Sequence, residues 1–180
     1  LLIRFWRPDW RGFGEAFRLG WPIGLTSLAE AGLFSAASVM MGWLGTLQLA
    51  AHGIALQIVA AVFMIHIGLS QAATVRAGRA LGRLDEAGLR RIGIVATLMS
   101  AGVAVITVIA LVIFPEPLIS LFIDPADPAR DAVLAIGVTL LAAGAVFQLA
   151  DAVQVMALGL LRGVQDTHAP MVIAIVSYWV

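Results

Sequence analysis

Four uninterrupted apolar runs decide what this chain can fold into. They cover residues 19–44, 47–75, 92–114 and 132–161, and a fifth opens at Met171 and continues to Val180. Each complete run exceeds the ~20 residues that a helix needs to cross the ~30 Å hydrocarbon core of a bilayer. Strands of a membrane barrel would be about half as long and would alternate apolar with polar residues. Within their spans, Glu30 and Asp151 are the sole ionisable residues of the first and fourth runs, the second holds His52 and His66, and the third holds none. The predicted fold class is all-α, a polytopic transmembrane helical bundle with four complete spans and the start of a fifth.

Composition points the same way. Of 180 residues, 61% are hydrophobic and 12% charged, with a mean hydropathy of +0.99. A soluble domain carries roughly 25% charged residues. One of this size could not hide so much apolar surface, because surface grows too fast relative to interior. Acidic and basic residues balance at 11 each, and every one of the basic 11 is arginine. The absence of lysine removes Schiff-base chemistry and a phosphate-loop lysine. No basic patch offers itself to nucleic acid. The absence of cysteine removes disulfides, thiolate metal sites and thiol nucleophiles. No catalytic triad or phosphate loop is present, and neither an enzyme nor a cofactor is expected. The chain opens on Leu1 and stops at Val180 inside an apolar run, so a longer parent protein is expected.

Arginine placement orients the bundle. With a cytoplasmic N-terminus, the inner segments hold Arg4, Arg7, Arg11 and Arg18, then Arg76, Arg79, Arg83, Arg90 and Arg91, then Arg162; the outer segments hold Arg130 alone. That asymmetry is a strong positive-inside signal, and it predicts a multi-pass protein of the bacterial inner (plasma) membrane, with the lipid bilayer as its first partner. Residues 1–18 read as a cytoplasmic or interfacial segment, of which 4–18 would lie partly along the membrane surface, with Trp6, Trp10 and Trp21 at the headgroup level. Pro22 is expected in the first turns of the first span, where proline is tolerated. Gly45 and Thr46 read as a tight turn, 76–91 as a polar loop with five arginines, and 115–131 as a loop with four of the seven prolines. Gly20-x-x-x-Gly24 and Gly159-x-x-x-Gly163 are spaced for close helix approach.

Glu30 and Asp151 carry the functional argument. A charge at the bilayer centre costs about 2.5–3.5 kcal/mol on insertion scales, so an ionisable residue there is a functional candidate by default. Glu30 lies 11 residues beyond Leu19, and Asp151 lies 10 residues before Leu161. At 1.5 Å per residue both sit roughly 15–16 Å from the cytoplasmic ends, near mid-membrane. Two acids at one depth are candidates to face a common cavity; whether they do depends on helix rotation. Within one turn of Asp151 stand Phe147, Gln148 and Gln154; around Glu30 stand Thr26, Ser27 and Phe34. Burial favours a neutral carboxyl and a bound cation favours a carboxylate. A site that alternates between H+ or Na+ and an organic cation needs that competition, with Asp151 the candidate Na+ ligand. The bland reading makes each acid a neutral, hydrogen-bonded packing residue.

Lesser candidates follow. His66 is a candidate proton relay, and His52 lies near the outer end of the same span; either is more often a packing histidine. Gln57 and Gln71 are candidate cavity-lining groups, together with Phe147, Gln148 and Gln154.

Several stretches resemble one family. Arg18-Leu-Gly-Trp-Pro-Ile-Gly with Ala29-Glu30 and Leu33-Phe34, Met41-Gly-Trp-Leu-Gly with Leu49-Ala-Ala-His52, and Gly68-Leu-Ser-Gln-Ala-Ala-Thr-Val-Arg76-Ala-Gly are the first three. Phe147-Gln-Leu-Ala-Asp151-Ala-Val-Gln154 and Gly159-Leu-Leu-Arg162-Gly163-Val-Gln-Asp166-Thr167 complete the set. In order, over about 16–180, they resemble the seventh to tenth helices of the multidrug and toxic compound extrusion (MATE) family, in its NorM-like branch. The resemblance implies two six-helix lobes, of which this chain would be part of the second, with the N-terminal lobe missing. It implies antiport of small organic cations, driven by H+ or Na+ through alternating access, with the positions of Glu30 and Asp151 in cation coupling. Two departures stand out. His66 falls where relatives often carry proline, and Gly53 where glutamine is common.

The same residues bear on other classes. A lipid-linked oligosaccharide flippase of the same superfamily is the alternative, but such proteins tend to need a basic cavity, and the sequence shows no arginine at mid-membrane. A membrane aspartyl protease would need the two acids in contact, sharing a proton. A structural subunit leaves two mid-membrane acids without a reason.

Overall fold

The computed structural model describes residues 9–179, and among them every regular element is a helix. The elements are α1 (Trp10–Leu44), α2 (Thr46–Gly82), α3 (Glu86–Ile113), α4 (Pro115–Ser120), α5 (Arg130–Gly163) and α6 (His168–Trp179). Helices α1, α2, α3 and α5 are each long and apolar enough to cross a membrane. The chain is a helical transmembrane bundle.

Helix boundaries differ from the sequence reading in an instructive way. The 76–91 segment is not a loop: α2 runs on to Gly82, and α3 begins at Glu86, leaving only residues 83–85 outside a helix. Arginine, alanine and leucine are good helix formers. Their polarity marks where the chain leaves the lipid, not where the helix ends. The stop comes at Leu84, which is in the left-handed region at φ 54°, and the restart at Asp85, whose carboxylate accepts the Gly88 N–H at 2.8 Å. Such a cap satisfies one of the orphan donors of the first turn.

The interfacial segment changes likewise. Asp9 accepts from the Gly12 N–H at 3.0 Å, and α1 runs from Trp10 without a break into the first span. Trp10, Phe13, Phe17 and Trp21 form an exposed ladder with successive ring centroids 6.3, 6.3 and 6.4 Å apart. Residues 1–8, including Arg4, Trp6 and Arg7, lie outside the described residues. Pro22 consequently stands inside α1 rather than in its first turns. A proline there removes the hydrogen bond to the carbonyl four residues back, while Thr26 Oγ1 donates to the Pro22 carbonyl at 2.9 Å.

The remaining connections differ in length. Gly45 alone separates α1 from α2, at φ 142°, a conformation that L side chains rarely adopt. In the proline-rich 115–131 segment the chain makes one further short helix, α4, which starts on Pro115, the position where a missing N–H costs nothing.

Packing centres on α2 and α5, which run side by side. Helices in lipid gain no hydrophobic drive from touching one another, so close backbone approach and polar contacts hold them. The buried faces are rich in small residues: Ala51, Ala55, Ser70, Ala73 and Ala77 on α2, and Gly137, Ala145, Ala152, Gly159 and Gly163 on α5. Ser70 Oγ donates to the Val155 carbonyl at 2.8 Å, and Thr74 Oγ1 to the Gly159 carbonyl at 2.7 Å. Of the two Gly-x-x-x-Gly pairs, Gly159 and Gly163 sit in this seam, while nothing among the described residues crowds Gly20 or Gly24. Toward the end of the seam away from Arg162 it is filled by Ile58, Leu111, Ile119 and Leu141, from α2, α3, α4 and α5. Large apolar side chains such as Leu98, Ile106, Val112 and Val146 are exposed, which suits a surface solvated by lipid. Helix α6 packs on α1.

Candidate functional site

Glu30 and Asp151 face the same space. A cavity of about 200 Å³ lies between α1, α2 and α5, lined by Ser27 and Glu30, by Phe63, Ser70 and Gln71, and by Asp151, Gln154, Leu158 and Arg162. Asp151 is buried, at 7% exposure, and Glu30 is half-buried. Neither carboxylate forms an ion pair among the described residues. They come together because Glu30 turns toward α5 from α1, while Asp151 lies on the buried face of α5.

The cavity has a direction. Helices α1 and α5 run antiparallel here, so Phe34 and Phe147 both lie one turn from the acids on the side away from Arg162. Their rings meet edge to face at 5.9 Å, bridging α1 and α5. The lining residues extend the other way, from the acids down α5 to Arg162. The aromatic pair stands beside the acids without lining the cavity, which extends from the acids toward Arg162.

Other candidates stand elsewhere. Gln154 lines the cavity, and its Nε2 donates to the Tyr178 hydroxyl of α6. Gln148 is fully buried, with both amide atoms unpaired among the described residues. It is rotated about 60° to one side of Asp151 and Gln154 about 60° to the other, at ~100° per residue. Gln57 is exposed and sits about 21 Å along α2 from Gln71. His66 is fully buried on the α3 side of α2, its Nδ1 3.0 Å from Ser100 Oγ, which donates to the Ala152 carbonyl at 3.3 Å. Where the Ser100 proton goes to Ala152, the His66 tautomer that fits carries its proton on Nδ1. This chain ties three helices together, so Ser100→Ala is expected to lower stability by about 0.6 kcal/mol, the average for a hydrogen bond between membrane helices, and by no more than about 1.7 kcal/mol. Thermal unfolding of the purified full-length protein would read it, and an unchanged midpoint would mean the chain contributes nothing.

The sequence matches the MatE family model over residues 22–180. The chain belongs to the MatE family.

Similarity to named relatives is close over nearly the whole chain. It is 46% identical over 179 residues to the probable multidrug resistance protein NorM of Rhizobium meliloti (strain 1021), and 48% identical over 179 residues to that of Agrobacterium fabrum (strain C58 / ATCC 33970). Against the corresponding protein of Deinococcus radiodurans it is 40% identical over 164 residues. These alignments cover 99%, 99% and 91% of this chain, but only 38%, 38% and 36% of the relatives. The chain spans little more than a third of the relatives' length.

In this MatE chain the residue that sequence reasoning missed is Arg162. It reads as a topological anchor by position, yet it lines the cavity with the two acids. The signal was present: 11 residues separate Asp151 from Arg162, and 11 residues make three near-complete turns, which return to the same face.

Proposed function

We propose that this chain supplies one lobe's cation site in a secondary active antiporter that exports small organic cations, with H+ or Na+ as the coupling ion. What carries the reading is the convergence of Glu30 and Asp151, from different helices, on one cavity where neither has an ion-pair partner among the described residues. Two carboxylates against the single guanidinium of Arg162 leave the space negative when both are ionised. An organic cation and the coupling ion would compete for that charge, which is the requirement for exchange. Na+ prefers oxygen ligands, and the lining offers carboxylates, the Ser27 hydroxyl and the Gln71 and Gln154 amides. Arg162 sits on the cytoplasmic side, where a tethered cation can hold the carboxylates while the site is between occupants. The relatives' name, multidrug resistance protein, supports the same substrate class. The N-terminal lobe would complete the pathway, and alternating access would carry the site across the membrane.

The flippase alternative draws on Arg162, a basic group in the cavity that such a protein would need. One guanidinium facing two acids does not make a basic cavity, so efflux is the better reading. The test is export of a cationic dye from proteoliposomes bearing the full-length protein under an imposed pH or Na+ gradient. Gradient-dependent export is expected. Export that ignores both gradients, with translocation of a lipid-linked sugar instead, would replace the reading.

A further inference from the structure

A second recess lies on the opposite side of the seam from the acids. It has a volume of about 350 Å³ and runs between α2 and α3, lined by Leu69, Ala72, Ala73, Ile92, Val95, Ala96 and Met99 and ending at Arg76 and Arg91. It exists because alanines occupy positions 72, 73 and 96, where larger side chains would fill the groove between the two helices. The arginines stand at one end only. From Arg76 the apolar lining reaches about 10 Å deeper along α2 to Leu69, and from Arg91 about 12 Å deeper along α3 to Met99.

The charge at the mouth is unpaired. Among the described residues the ion pairs are Arg11 with Glu15 and Arg130 with Asp131, so neither Arg76 nor Arg91 has an acidic partner. The 76–91 segment carries five arginines against Asp85 and Glu86, and Asp85 is engaged in capping α3. A neighbouring recess shares Arg91 and Val95 and adds Arg90. The arginine asymmetry of the whole chain places this end at the inner leaflet, whose surface is anionic.

A charged mouth above a narrow apolar slot matches one occupant. The geometry points to a binding site for a single anionic phospholipid of the inner leaflet, its headgroup phosphate between Arg76 and Arg91 and the upper part of one acyl chain along the alanine-lined groove. Guanidinium groups suit the role because their planar donors pair with phosphate oxygens in bidentate fashion. The site is separate from the acid-lined cavity and does not depend on what that cavity transports.

The test is a titration of the detergent-solubilised full-length protein with phosphatidylglycerol or phosphatidylcholine, with bound lipid counted by native mass spectrometry. Phosphatidylglycerol is expected to bind more tightly. The double variant R76Q/R91Q should weaken it roughly thirty-fold, from about fivefold per arginine near an anionic surface. Arg83→Gln, which removes the same charge outside the groove, should change affinity less than about twofold. Ala96→Trp fills the slot while keeping both arginines, and should weaken binding of both lipids. Equal binding of the two lipids, or an R83Q effect as large as that of R76Q/R91Q, would overturn the proposal. So would cysteine trapping that finds another segment of the full-length protein in the groove.

Discussion

Asp151→Asn in the full-length protein is expected to reduce gradient-driven dye export to background while the protein still accumulates in the membrane. Glu30→Gln should do the same. Removing one partner of a buried charge interaction costs about 2–5 kcal/mol, and so at least ~30-fold in cation affinity at this site. Folding should be spared, because a neutral amide is easier to hold in the membrane than an acid. Neither carboxylate has an ion-pair partner among the described residues that its loss would leave unpaired. Asp131→Asn is the matched control, since this acid is exposed, pairs only with its neighbour Arg130 and does not line the cavity; export should be unchanged. Undiminished export in both cavity variants would make the two acids packing residues.

The largest stability effect is expected at Gly159 and Gly163. A side chain at Gly159 would collide with the Ser70 hydroxyl, and its Cβ would come within 2.8 Å of the Ser70 carbonyl oxygen. A Cβ at Gly163 would stand 2.7 Å from the Thr74 carbonyl oxygen and 2.8 Å from Ala77 Cβ. Backbone cannot yield as a flexible side chain can, so the two helices would have to separate. Separation also loses the bonds from Ser70 to Val155 and from Thr74 to Gly159, at about 0.6–1.7 kcal/mol each. With overpacking of about 1–3 kcal/mol added, Gly159→Val should lower the unfolding midpoint of the purified protein sharply, or leave little monodisperse protein to measure. Gly24→Val, where nothing lies within 4 Å, should stay within about 0.5 kcal/mol of the parent. Equal losses at Gly24 and Gly159 would mean the seam is not what holds the bundle.

The spans were legible because an apolar run too long for a soluble core has one physical solution. Helix ends were not. Arg76 to Gly82 stays helical in the structure, since the backbone keeps its hydrogen bonds whether its side chains meet lipid or water. Pro115 reads as a breaker, yet it starts α4; only its position relative to a helix start distinguishes the two roles. In the site, axial position was readable and rotation was not. Glu30 and Asp151 were placed at one depth by counting residues. Their convergence, the Phe34–Phe147 pair beside them and the turning of Gln148 and Gln154 to opposite sides of Asp151 all depend on how α1, α2 and α5 are rotated against one another. Arg162 is the opposite case: its spacing to Asp151 puts both on one face of α5, while its position at the end of the apolar run reads equally as an anchor.

The central claim is that one negative cavity holds either the coupling ion or the organic cation, never both. Equilibrium binding of a cationic dye to the full-length protein, measured across a series of Na+ concentrations and of pH values, tests it directly. The expected result is competition: the apparent dissociation constant for the dye rises in proportion to Na+ or H+ activity, saturating binding is unchanged, and Asp151→Asn removes the dependence. A dye affinity that stays constant across both series, with Asp151 intact, would contradict it.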